Sequence, residues 1–365
     1  MLMAKDFLLS LLSTSTVSGF EQRGCDLFET YLKQYVDKYY RDVVGNSIVK
    51  LGCQDGSKSM LIEAHIDEIG FQVLYIGDDG GIFLRANGGI DMHCVPGSHV
   101  EIHGKRGKIN GVIGKTPIHL LKSKDRENVI ELSNLWVDTG LLVEEVKEKV
   151  RVGDPVSFKS NTEFLGEHRI TSKALDDKIG VYIVAEVIRR LYDCRDGLKC
   201  QIYGAATVQE ETGYRGVQTS SFAIMPDIAI CIDVDFATDV HGCRKNKFGD
   251  VSLGNGVVIS YCLDSDISVA DKMISIAEEK GIPVQISARP YATGGTNASK
   301  VRFLRSGIKT ILLGIPCRYM HTPVEMCDLR DVEAAIKLII EYVKKISGNH
   351  VVTDSTSENT IKSSH

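Results

Sequence analysis

The histidines and carboxylates of four short segments are the residues best suited to metal chemistry in this sequence. His65 and Asp67 stand two apart in AHIDEIG at the end of an apolar run, so on an extended strand they point to the same side. The Asp67 carboxylate could then hold the His65 imidazole in the tautomer that a metal ligand requires. A buried structural histidine beside a surface acid is the alternative interpretation.

Two pairs of adjacent acids follow along the chain. Asp176 and Asp177 stand in KALDDKIG at the start of a predicted helix, where an aspartate often caps the helix, but two successive acids exceed what a cap needs. Glu210 and Glu211 stand in TVQEETG, directly after the apolar run QIYGAA. At such a strand-to-loop turn Glu211 can bind a metal while Glu210 acts as general base on a water. Solvated loop acids are the alternative.

Asp233 and His321 complete the set. Asp233 ends the apolar run DIAICID, where burying a carboxylate is costly unless it is paired or bound to a metal. His321 follows the apolar run KTILLGI and, taken alone, could be a histidine of a surface loop. Imidazole and carboxylate together suit zinc, cobalt or manganese, and no CxxC motif points to a structural zinc. The set indicates a hydrolase with two divalent metal ions.

The predicted elements around these residues indicate an α/β fold. After Ser172, helices and strands alternate, which predicts a largely parallel or mixed central sheet flanked by helices. Predicted helices include residues 177–191 and 329–346. Apolar residues at helical spacing also predict one amphipathic helix from Glu21 to Tyr40.

A different pattern occupies the middle of the chain. Short β-like runs separated by Gly, Asp and Asn predict a small barrel or sandwich between Phe71 and Phe164. The catalytic α/β domain is therefore assigned to residues 1–69 and 166–347, and the inserted β-rich domain to residues 70–165. The polar stretch 348–365 is predicted to be a disordered tail.

Composition narrows the possible partners and the compartment. The net charge is -5 and the basic residues are dispersed, so nucleic acid is excluded as a partner. No segment is long and apolar enough to span a membrane, and the N-terminal apolar run is too short for an export signal. The ten cysteines are scattered, as expected of reduced thiols in a cytoplasmic protein.

The chemical segments also resemble a known family, in the same order along the chain. The sequence is similar to the glutamyl and tetrahedral aminopeptidases, a family of dinuclear metallopeptidases with a zinc-exopeptidase-like fold, over nearly the whole chain to Ile346. Asn297 departs from that pattern, because relatives usually carry an aspartate there. The segments that carry the resemblance are STVSGFE, AHIDEIG, ALDDKIG, TVQEETG, DIAICID, GGTNA and GIPCRYMHTPVE.

The resemblance implies a role for each candidate residue. Glu210 would be the general base, and Asp67 would support His65. Asp176 would bridge the two ions. The implied ligands are His65, Asp176 and Asp233 for one ion, and Asp176, Glu211 and His321 for the other.

The implied activity is removal of N-terminal residues from peptides by a water between two divalent metals, with zinc expected and cobalt or manganese as alternatives. The inserted domain, residues 70–165, would be a dimerisation domain, and dimers would assemble into a tetrahedral dodecamer. Two other activities stay open on the sequence: a deacylase on the same metal centre, and a glucanase-type glycoside hydrolase.

Overall fold

A mixed eight-stranded sheet forms the centre of the computed structural model, which describes residues 5–52, 58–123, 126–288 and 295–347. In spatial order the strands are β1 (Lys38–Arg41), β2 (Ser47–Gly52), β12 (Gln201–Thr207), β3 (Ser59–His65), β13 (Ile228–Phe236), β16 (Lys309–Cys317), β14 (Val257–Ser260) and β15 (Val284–Ser287). The inner strands β12, β3, β13 and β16 are parallel, whereas β2 pairs with β12, and β14 with β16, in antiparallel fashion. The predicted mixed α/β fold is confirmed.

Helices cover both faces of this sheet. Side chains alternate along each strand, so Ile62 of β3 packs into the larger core and Leu61 into the smaller one on the opposite face. The larger core is covered by α1 (Lys5–Ser13), α2 (Gln22–Leu32), α4 (Leu175–Tyr192), α7 (Ile267–Lys280) and α9 (Leu329–Ile346). The smaller core is covered by α5 (Arg215–Ile224) and α8 (Ala298–Val301).

A closed six-stranded barrel is inserted after β3. Adjacent strands are antiparallel, and the interior is a separate apolar cluster that includes Phe71, Val100 and Val156. The strands, in spatial order, are β4 (Gly70–Ile76), β5 (Ile82–Asn87), β8 (Trp136–Asp138), β7 (Gly107–Gly114), β6 (His99–Gly104) and β9 (Pro155–Phe158). The predicted small β-barrel is confirmed, while the domain boundaries at 70 and 165 stay predictions.

A small third sheet joins the barrel to the rest of the chain. It consists of β10 (Glu163–Leu165), β11 (Arg169–Ser172) and β17 (Glu325–Asp328), all antiparallel. Because Ser172 pairs with Glu325, the start of β17 lies beside the segment that leads into α4. The remaining helices are short: α3 (Val143–Lys149) and α6 (Lys245–Phe248).

The predicted helix from Glu21 to Tyr40 is wrong in its second half. The helix ends at Leu32, and Lys38–Arg41 forms the edge strand β1, paired with β2. Cys25, Phe28 and Leu32 are buried as the helical spacing requires, but Tyr39 is 51% exposed. Pairing with the sheet edge therefore outweighed a weak helical pattern.

The C-terminal tail and the possibility of a membrane-spanning helix were also addressed by the sequence. The predicted disordered tail, residues 348–365, lies outside the described residues. Within the described ranges, every helix is too short or too polar to traverse a bilayer.

Candidate metal centre

The candidate residues meet at one edge of the central sheet. His65 is the last residue of β3, Asp233 lies near the end of β13, and Glu210 follows β12. Because these strands and β16 are parallel, their carboxyl ends share an edge, where ligands bind in open α/β sheets. His321, four residues after β16, reaches the same place.

Asp176 lies at the centre of the cluster, between the two histidines. Its Oδ1 is 3.1 Å from Nε2 of His65, and its Oδ2 is 3.3 Å from Nε2 of His321. The backbone of Asp176 and Asp177 departs from helical geometry at the start of α4. Asp177 accepts a hydrogen bond from the backbone N–H of Gly180 at 3.1 Å, so the capping role falls to Asp177 and leaves Asp176 facing the cluster.

The remaining ligand-type atoms surround the same two histidines. Nε2 of His65 is 3.8 Å from Oδ1 of Asp233 and 3.9 Å from Oε2 of Glu210. Nε2 of His321 is 3.8 Å from Oε2 of Glu211. Ligand atoms in each of two trios lie within 4.8 Å of one another: His65, Asp176 and Glu211, and His65, Glu210 and Asp233. These separations suit side chains that share cations.

Asp67 supports the cluster in a way the sequence did not show. Its carboxylate accepts hydrogen bonds from the backbone N–H groups of Glu210 at 2.9 Å and Glu211 at 3.1 Å. The partner of His65 Nδ1 is the backbone carbonyl of Asp67 at 3.1 Å, while the Asp67 carboxylate is 3.5 Å away. Asp67 thus orients the histidine mainly through its backbone and the glutamates through its side chain.

The electrostatics of the cluster fit divalent cations. Burial and neighbouring carboxylates raise the pKa of Asp177, Glu210 and Glu211. Burial also opposes ionisation of Asp176, but its hydrogen bonds with His321 and His65 outweigh burial and lower its pKa. Oε1 of Glu211 is buried without a hydrogen-bond partner among the described residues. So many buried carboxylates need positive charge to compensate them, which this donor set would obtain from divalent ions.

Glu325 is a residue of the centre that sequence reasoning missed. It is buried, and its Oε2 accepts the backbone N–H of Asp176 at 3.0 Å while its Oε1 accepts that of His321 at 3.0 Å. Burial, followed by the charge of Asp176, raises its pKa to about 8. Glu325 stands in the segment GIPCRYMHTPVE, but nothing local in the sequence indicates its contact with Asp176.

A pocket of about 540 Å³ opens beside the cluster. Besides the carboxylates, its lining includes Tyr214, Phe236, Met320, Gly295 and Thr296. The pocket is large enough for the end of a peptide chain. A mixed sheet with imidazoles and carboxylates at its carboxyl edge, beside such a pocket, defines a metal-dependent hydrolase.

Comparison with known proteins identifies the family. The family model described as M42 glutamyl aminopeptidase matches residues 45–338. A lysyl aminopeptidase of Pyrococcus furiosus is 32% identical over 339 residues, which cover 91% of this chain and 94% of that protein. The chain belongs to the M42 family of aminopeptidases, and the resemblance seen in the sequence is confirmed.

Solved structures agree with this assignment. A TET aminopeptidase from a marine-sediment thaumarchaeon has a TM-score of 0.89 and 29% identity, covering 94% of this chain and 96% of that one. The TET1 peptidase of Pyrococcus horikoshii has a TM-score of 0.82 and 34% identity, covering 93% and 98%. The aminopeptidase interpretation is thereby favoured over the deacylase and glycoside hydrolase alternatives.

Proposed function

We propose that this chain removes N-terminal residues from peptides with two divalent cations held at the carboxyl edge of the sheet. The observation that carries the proposal is the position of Asp176, whose two carboxylate oxygens face His65 and His321 separately. A carboxylate placed in this way suits a bridge between two ions. The proposed ligands are His65, Asp176 and Asp233 for one ion, and Asp176, Glu211 and His321 for the other.

Two divalent cations, when bound there, would supply Lewis acidity toward the scissile carbonyl and lower the pKa of the attacking water. Zinc is the proposed metal, with cobalt and manganese as alternatives that suit the same imidazole and carboxylate ligands.

Glu210 is the proposed general base. It lines the pocket, its carboxylate lies 3.9 Å from Nε2 of His65, and burial raises its pKa, which makes it a better proton acceptor than an exposed glutamate. Glu210 would take a proton from the attacking water and deliver it to the leaving amine. The Asp67 carboxylate accepts the backbone N–H of Glu210, and this hydrogen bond would hold Glu210 in place for the proton transfer.

The proposal extends to assembly and compartment. The structural relative TET1 can assemble into a tetrahedron or a large octahedral shell, which supports a homo-oligomer built from dimers as a dodecamer. The barrel exposes large apolar side chains, including Leu74, Tyr75 and Leu120, that a dimer interface could bury. The cysteines that the structure describes are free thiols, as expected in the cytoplasm.

A substrate panel with a matched variant tests the proposed activity. Purified protein loaded with Zn²⁺ should release the first residue of peptides with a free N-terminus, and should not cleave the same peptides after N-acetylation. Glu210→Gln should lose about 10²–10⁴-fold in kcat, because the general base is absent, and should keep its bound metal. Glu127→Gln, an exposed glutamate of the barrel region, is the control. Activity retained in Glu210→Gln would reject the assignment of the base.

A further inference from the structure

Three buried polar side chains form a closed hydrogen-bonded triangle: Glu63, Thr207 and Asn297. Nδ2 of Asn297 donates to Oε2 of Glu63 at 2.8 Å and to Oγ1 of Thr207 at 3.0 Å. Oγ1 of Thr207 in turn donates to Oε2 of Glu63 at 3.1 Å. None of the three is a candidate metal ligand, so the catalytic proposal gives the triangle no role.

Each corner of the triangle belongs to an element that carries part of the site. Glu63 lies two residues before His65 on β3 and therefore on the same face of the sheet. Thr207 ends β12, three residues before Glu210. Asn297 follows Thr296 of the pocket wall and precedes α8. The triangle thus joins the histidine strand, the loop of the general base and the wall of the pocket.

The two hydrogen bonds that the Asn297 amide donates explain why an asparagine suits position 297. Its NH₂ group provides two donors, and both are used, one toward a carboxylate and one toward a hydroxyl. An aspartate at position 297 would offer neither of these donors and would set a second acceptor group against Glu63, which leaves buried acceptors without a partner. The asparagine of GGTNA is therefore matched to a glutamate that stands 234 residues earlier in the chain.

We infer that Glu63 and Asn297 are a matched pair of positioning residues, which hold the pocket wall at Thr296 in register with the loop that carries Glu210. This inference rests on the proposed function for its catalytic consequence, but the pairing itself rests on the contacts alone. Neither residue touches the reacting atoms. They act by fixing the position of the pocket wall at Thr296, so their loss should change substrate binding more than the chemical step.

A four-protein cycle tests the pair: wild type, Asn297→Asp, Glu63→Gln and the double variant Glu63→Gln/Asn297→Asp. In the double variant the amide and the carboxylate exchange places, so the donor and acceptor between the two positions are restored. Asn161→Asp, at an exposed position between β9 and β10, makes the same chemical change at the surface and is the control. The thermal midpoint Tm, the metal content, kcat and KM are measured for each protein.

Asn297→Asp should lower Tm by about 3–8 °C and raise KM by about tenfold, with a smaller change in kcat and unchanged metal content. The double variant should recover most of the Tm and come within about threefold of the wild-type KM, which is the non-additivity expected of residues in contact. Asn161→Asp should match the wild type. A KM that moves more than kcat, and is rescued by the exchange, distinguishes positioning from general loss of structure.

Two results would overturn the inference: Asn297→Asp with wild-type Tm and KM, or a double variant no better than Asn297→Asp. If Asn297→Asp does not fold, recovery of folded protein in the double variant supports the pair, and its failure to fold refutes it. The Tm values of the four proteins need no substrate, so they test the Glu63–Asn297 pair even if the wild-type protein cleaves no peptide. Absence of cleavage by the wild type would count against the proposed function alone.

Discussion

Glu325 accepts the backbone N–H of Asp176 on its Oε2 at 3.0 Å, which ties the first residue of β17 to the distorted start of α4. Its other oxygen accepts the backbone N–H of His321 at the same distance. A single buried carboxyl group thus sets the spacing between Asp176 and one of the two histidines that face it. Metal affinity should depend on this contact although Glu325 is not itself a candidate ligand.

Glu325→Gln should weaken metal binding by about 10–100-fold, because an NH₂ group then replaces one of two oxygens that accept backbone N–H groups. Titration of metal-free protein with Zn²⁺ in the presence of a competing chelator measures the change. Glu167→Gln, at a glutamate whose side chain is 87% exposed, serves as control. Equal affinity in Glu325→Gln and wild type would show that the contact does not position the ligands.

Asp67→Asn should lower kcat by about 10–100-fold with little change in KM, because the asparagine leaves one of the backbone N–H groups of Glu210 and Glu211 without an acceptor. Steady-state kinetics on a peptide with a free N-terminus measures it. The control is Asp78→Asn, which alters an almost fully exposed side chain. A kcat equal to that of the control would show that Asp67 does not position Glu210 and Glu211.

Removal of divalent cations should abolish peptide cleavage and lower Tm by roughly 10 °C, since tightly bound metal stabilises the folded state by mass action. The physical reason is that the buried carboxylates around Asp176 then repel one another without compensation. Calorimetry before and after treatment with a chelator measures the shift. Zn²⁺, Co²⁺ or Mn²⁺ should restore both properties, and a Tm insensitive to chelation would contradict the electrostatic argument.

Glu21 should make stability depend on pH. Burial, followed by the charge of Asp67, raises its pKa from 4.5 to about 7 in the folded protein. Between these values Glu21 binds more protons in the folded state than in the unfolded state, so its contribution to stability is fully present below pH 4.5 and is lost as the pH rises through the folded pKa. A difference of this size corresponds to roughly 3 kcal/mol in the free energy of unfolding.

Glu21→Gln isolates this contribution. Oε1 of Glu21 accepts the backbone N–H groups of Gly19 at 2.6 Å and Gln209 at 3.2 Å, and glutamine keeps that oxygen while it loses the titration. Denaturant unfolding at pH 4.5 and pH 8 should show the variant gaining stability relative to wild type as the pH rises. A stability difference that does not change with pH would contradict the prediction.

Much of the fold follows from local patterns. The buried parallel strands are continuous apolar runs, and the segment predicted as residues 329–346 is the helix α9 itself, where Asp328 caps the first turn by accepting the N–H of Arg330. The predicted helix extends over the edge strand β1 because Val36 and Tyr39 continue the helical spacing past Leu32. Pairing with β2 decides that segment, and such pairing is not local.

In the candidate site, likewise, some residues could be predicted from the sequence and others could not. Residue types at the ends of apolar runs pointed to His65 and its partners, and the paired acids at the start of a predicted helix pointed to Asp176. The structure brings these side chains together. The same reasoning could not identify Glu325 and Glu63, because Asp176 stands 149 residues from Glu325 in the chain and Asn297 stands 234 residues from Glu63. Supporting carboxyl groups carry no spacing signal, since their role depends on tertiary contacts alone.

The most direct test of the proposed centre is a crystal structure of the Zn²⁺-loaded protein with anomalous data collected at the zinc edge. The account predicts two anomalous peaks on either side of the Asp176 carboxylate, one bound by His65 and Asp233 and the other by Glu211 and His321. A single peak, or peaks away from Asp176, would contradict it.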